Sequence, residues 1–122
     1  MNREIKFRAW DSEQKVMFYG EKEQFDDMLA FRFGHFGIDP EENVFYMQFT
    51  GLKDENKVNI YEDDVVVDNV GRIWIVKYSE NKASFLFHWV KDQSQYVNMY
   101  GFNAFQKPIE VIGNVHQNPE ML

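Results

Sequence analysis

Cysteine is absent from the 122 residues, which excludes disulfides, thiolate metal sites and a cysteine nucleophile. Basic charge is scarce. Thirteen Lys and Arg face twenty Asp and Glu, a formal net charge of -7. Such a balance keeps a chain soluble and opposes binding to a polyanion, which needs clustered cations. Direct nucleic-acid binding is therefore not expected. No apolar run approaches the roughly 20 residues that cross a bilayer. The opening Met1-Asn2-Arg3-Glu4-Ile5-Lys6 has no apolar core of the signal-peptide kind. The expected address is cytoplasmic, with no membrane partner. Phosphate-cradling motifs of the G-x-x-x-x-G-K-[ST] and G-x-G-x-x-G types are missing, and no G-x-S-x-G elbow frames Ser12, Ser79, Ser84 or Ser94. His35, His88 and His116 lie far apart, without metal-ligand spacing. The chain is read as non-enzymatic, with no catalytic residue, metal or cofactor.

What the chain does have is large apolar rings: twelve Phe, six Tyr and three Trp, in a composition 44% hydrophobic. That content suits half-buried strands and a real core in one domain. Ile5 to Trp10 alternates, with Ile5, Phe7 and Ala9 on one face and Lys6, Arg8 and Trp10 on the other. Val16 to Tyr19 follows a polar turn, so the two segments form an opening hairpin. From Glu21 to Phe33 the period changes: Phe25, Met28, Leu29 and Arg32 share one face of a short helix. Further strands are expected at Val44 to Phe49, Val65 to Val67, Arg72 to Tyr78, Ala83 to Val90, Gln95 to Tyr100 and Ile109 to Val115. Ala83 to Val90 is apolar on both faces, as in a strand between two layers or in a closed barrel.

The centre of the chain is Gln48-Phe49-Thr50-Gly51-Leu52-Lys53-Asp54-Glu55-Asn56-Lys57, continuing through Ile60-Tyr61-Glu62-Asp63-Asp64-Val65-Val66. Thr50-Gly51 reads as a break after an apolar strand, and Asp54 to Lys57 as a polar turn. Glu62, Asp63 and Asp64, with Asp68, could present oxygens to a hard cation. Neighbouring strand residues point to opposite faces, however, so the carboxylates do not converge. An EF-hand counted from Asp54 fails at Asn59 and Val65, where Gly and Glu are needed. The stronger reading is a solvated, charged start to a strand that blunts an edge.

This stretch resembles the YopX family of small phage and prophage proteins, whose central pattern is roughly Q-[FY]-T-G-L-K-D-x-N-G-K-x-I-Y-E-G-D-[IV]-V. The opening Arg3, Ile5 to Asp11 and Met17 matches a second block of that family. The closing Glu110-Val111-Ile112-Gly113-Asn114-Val115, with Asn118-Pro119-Glu120, matches a third. Two family glycines are replaced, after Asn56 by Lys57 and before Asp64 by Asp63. An Asn-Gly type I′ turn needs φ > 0 at both central residues, so another turn type is expected at Asn56-Lys57. The family has no established activity, so the resemblance implies an architecture and not a reaction.

The expected fold is mainly β (α+β). An SH3-like small barrel begins at about Ile60, within 51–122. The hairpin and short helix of 1–50 pack on it as a subdomain, and the C-terminal strand pairs back to the N-terminus. Lys6, Arg8, Trp10 and Trp74 form the candidate interaction surface, since Trp and Arg anchor many interfaces. Trp74, Leu86 and Val90 are apolar surface in excess of one small barrel, from which a homo-oligomer is expected. The functional expectation is a phage or prophage accessory protein acting through a protein partner. The alternatives are an acidic decoy of a host nucleic-acid-binding protein and a weak nucleic-acid binder of barrel type.

Overall fold

Alternating apolar residues and β-branched runs give strands through most of the described residues. The computed structural model describes residues 5–19, 43–98 and 108–122. Among these residues the protein is mainly β, with nine strands, no α-helix and one short 3-10 turn at Pro119–Met121. The helix expected over Glu21 to Phe33 lies outside the described residues, as does His35.

The chain divides into two compact units, Met1–Gln48 and Phe49–Leu122. In the first, strand β1 (Phe7–Asp11) is flanked on both sides. Strand β2 (Val16–Tyr19) pairs antiparallel with it in the register Ala9 to Phe18. The first half of β3 (Val44–Lys53) pairs on its other side, with Ala9 opposite Tyr46. The Asp11 side chain stops β1: its Oδ1 accepts N–H bonds from Glu13 and Gln14, and a third from Asn43 Nδ2.

In the second unit, the remainder of β3 pairs with β4 (Asn59–Tyr61). Strands β5 (Asp64–Asp68), β6 (Ile73–Ser79), β7 (Ser84–Trp89), β8 (Asp92–Asn98) and β9 (Ile109–Asn114) make an antiparallel sheet ordered β8-β7-β6-β5-β9. Ile60, Val66, Trp74, Val76, Phe87 and Ile109 form its core cluster. Val65, Ile75 and Leu86 alternate with those residues and are buried as well, so the sheet is apolar on both faces.

Two expectations change. Thr50-Gly51 does not end β3, which runs on to Lys53 with a register shift after Phe49. Gly51 takes φ 91, while Thr50 Oγ1 donates to the Ile60 carbonyl at 2.7 Å and accepts from Leu52 N at 3.2 Å. The hydroxyl bridges the gap a bulge opens, so the strand kinks and continues. Strand β9 pairs with β5, and β1 has both edges filled by β2 and β3. Strand β8 starts at Asp92, earlier than Gln95, because Asp92 pairs with Trp89 after a register shift in β7.

Both replaced family glycines keep a left-handed backbone, Lys57 at φ 66 and Asp63 at φ 70. Lys57 N donates to the Asp54 carbonyl at 3.0 Å. Only Lys57 of the Asn56-Lys57 pair has positive φ, so the turn is not type I′. A non-glycine residue in this region is strained by about 1–2 kcal/mol, against an entropic penalty for glycine of about 0.5–1 kcal/mol. Lys57→Gly is therefore expected to stabilise the protein by up to about 1 kcal/mol, read as a higher urea midpoint with an unchanged slope.

Candidate functional site

The polar residues that stand out in the sequence converge on the turns of the second unit, where they meet backbone N–H groups. Asp54 is buried at the β3–β4 turn. Its Oδ1 accepts from Asn56 N (2.8 Å) and Val58 N (2.9 Å), and its Oδ2 accepts from Val111 N (2.9 Å), 57 residues away. Glu55 N donates to the Ile109 carbonyl at 3.0 Å. One turn thus closes its own loop and covers two backbone groups of β9, an edge strand of the sheet.

Asp64 is 1% exposed, and its Oδ2 accepts from Tyr61 N at 2.8 Å, bracing the Glu62-Asp63 corner. Asp63, in its left-handed conformation, is a four-way junction. Its N–H donates to the Val76 carbonyl, and its carbonyl accepts from Val115 N. Its carboxylate meets Lys77 Nζ at 2.8 Å and His116 Nε2 at 3.0 Å. Lys77 is partly solvated, so that ion pair contributes little by itself.

Asp68 closes the β5–β6 turn. Its Oδ1 accepts from the backbone of Val70 and Arg72, and its Oδ2 from Arg72 Nε (2.8 Å) and Trp74 Nε1 (3.1 Å). Burial acts to raise the carboxyl pKa; the bonds from Trp74, from the backbone of Arg72 and Val70, and from the Arg72 side chain outweigh it. The net result is a carboxyl below the ordinary aspartate value. The Arg72 guanidinium also lies 5.6 Å from the centroid of the Trp74 ring.

The C-terminal block has the same logic. Asn114 Oδ1 accepts from His116 N and Gln117 N, and its Nδ2 donates to Gln117 Oε1 at 2.7 Å. Asn118 Oδ1 accepts from Asn114 N at 3.2 Å. Gly113 leaves room for that side chain: a Cβ there would lie 2.5 Å from Asn118 Oδ1.

Within the acidic cluster, Asp64 and Asp68 are not the solvated strand start expected from the sequence, while Glu62 and Asp63 are partly exposed. Asp54, Asp64 and Asp68 are buried, and their oxygens are held by backbone and indole N–H groups. No group of three metal-ligating side chains occurs among the described residues. His88 Nδ1 donates to the Gln93 carbonyl at 2.8 Å within the β7–β8 hairpin.

The residues expected to form an interaction surface are placed differently from that expectation. Arg8 is 2% exposed and Trp10 is also buried, while Lys6 is half-buried. Strand β1 is central in its unit and large side chains flank both residues: Tyr19 and Met47 stand beside Arg8, and Met17 and Phe45 beside Trp10. The Arg8 guanidinium lies 5.9 Å from the Tyr19 ring centroid. Trp74, at 6% exposed, belongs to the core of the second unit. Lysine at that position would bury a charge and remove a donor from Asp68, so the change would unfold the unit before it could report on an interface. Leu86 is buried too. Of the three residues from which a homo-oligomer was expected, Trp74 and Leu86 are buried within one chain and Val90 is half-buried.

The exposed apolar residues lie elsewhere. In the first unit, Phe18 (37% exposed) and Tyr46 (42% exposed) stand on either side of the buried Ala9, in register with it. Sequence alternation alone could have placed Phe18 on an open face; it could not have placed Tyr46 beside it, because that needs the β1–β3 register.

The YopX family profile, described as "YopX protein", matches residues 6–122. The chain belongs to the YopX family. This YopX protein is similar to the crystal structure of protein EF1440 from Enterococcus faecalis, at 26% identity and a TM-score of 0.67, with 99% of each chain covered. A search of functionally curated proteins gives no match. Among the described residues, no helix is long and apolar enough to cross a membrane. Among the residues that carry the resemblance, Asp54, Asp64, Asn114 and Asn118 hold backbone N–H groups here, Gly51 lies at the β3 bulge, and Gly113 leaves room for Asn118. Asp63 and Lys57 take left-handed geometry where the family pattern has glycine.

Proposed function

We propose that this YopX protein is a phage or prophage accessory protein that acts without catalysis, through contact with another protein, and that its second unit is an SH3-like small barrel. The observation that supports the reading is the engagement of the buried carboxylates. Asp54, Asp64 and Asp68 hold backbone and side-chain donors of the fold itself, an arrangement that stabilises turns. The Phe18–Ala9–Tyr46 row offers exposed aromatic area of the kind protein interfaces use. Arg8 and Trp10, two of the residues expected to form an interaction surface, are buried.

The test pairs a pull-down from host bacterial lysate with a DNA titration. Wild type should retain a defined protein partner, and a folded Phe18→Ser/Tyr46→Ser variant should lose it. Duplex DNA at about 150 mM salt should bind no more tightly than the non-specific range of about 10⁻⁴–10⁻⁶ M. Sub-micromolar DNA binding, with no protein retained, would overturn the proposal.

A further inference from the structure

We draw no further inference here: the strongest candidate, the exposed strand β8 at the end of the five-stranded sheet, with Tyr96 beside Lys82 and His88, carries nothing because nothing in the structure shows what pairs with it or covers it.

Discussion

Replacing Asp54 by alanine is expected to lower the stability of this YopX protein by about 2–4 kcal/mol, a large part of the roughly 5–15 kcal/mol that holds a domain folded. Three backbone N–H groups, those of Asn56, Val58 and Val111, lose their acceptor together. An unsatisfied buried donor costs about 1–3 kcal/mol, and water recovers part of this at the exposed Asn56 and Val58. Val111 is half-buried and sits in β9, so its N–H carries the larger share. Asp54→Asn should fall between wild type and alanine, since its amide retains one oxygen for the turn but turns an NH2 toward the other donors. The neighbouring Glu55 is exposed and contributes its backbone N–H to Ile109. Glu55→Ala should therefore stay within about 0.5 kcal/mol of wild type. Urea unfolding of the three variants checks the order. Equal midpoints for Asp54→Ala and Glu55→Ala would mean that the carboxylate does not hold the turn against β9.

The second large effect is expected at Asp68 and depends on pH. The folded state holds this carboxyl below the ordinary aspartate value. A depressed carboxyl contributes stability that is fully present above its unfolded pKa, near 4, and is lost as pH falls through the lower folded value. Asp68→Asn lacks that contribution at every pH. The thermal midpoint of wild type should thus exceed that of Asp68→Asn by a wide margin at pH 7, and the gap should narrow as pH drops below about 4. Trp74→Phe keeps a ring in the core but deletes the indole N–H that donates to Asp68 Oδ2. A hydrogen bond to a charged group contributes about 1.5–3 kcal/mol, so this variant should also be destabilised, and its margin should shrink over the same acid range. A gap between wild type and Asp68→Asn that stays constant from pH 7 to pH 3 would remove Asp68 from the account.

Much of the strand order is visible in the residues. Val65-Val66-Val67, Ile73 to Tyr78, Ser84 to Trp89 and Ile109 to Asn114 carry alternating or β-branched runs between polar turns, and each is a strand. The turn residues were visible as turn residues too. Their burial was not, because it depends on which backbone donors the topology leaves without partners. Asp54 looks like a surface residue until β9 is placed beside its turn, and Val111 is remote in sequence. Arg8 and Trp10 alternate as a wet face would, yet both are buried, on a strand whose two edges are filled by β2 and β3. Thr50-Gly51 has the composition of a break; only the bond from Thr50 Oγ1 to the Ile60 carbonyl makes it a bulge. The replaced glycines at Lys57 and Asp63 are visible in the sequence, but the positive φ that both positions keep is not.

Stability and function are separable by the sign of a mutational effect. Residues kept for an active or binding site are often strained or poorly solvated, so neutralising them tends to leave a protein equally stable or more stable. Residues that cap backbone groups behave oppositely. Asp64 separates the two cases most directly, because it is almost wholly buried, opens β5 and accepts the Tyr61 N–H. The decisive measurement is the urea midpoint of Asp64→Asn at neutral pH. A midpoint well below wild type, with the slope unchanged, is the result expected if the acidic centre of this YopX protein is part of its framework. A midpoint equal to or above wild type would contradict that claim and return Asp64 to the candidates for a functional site.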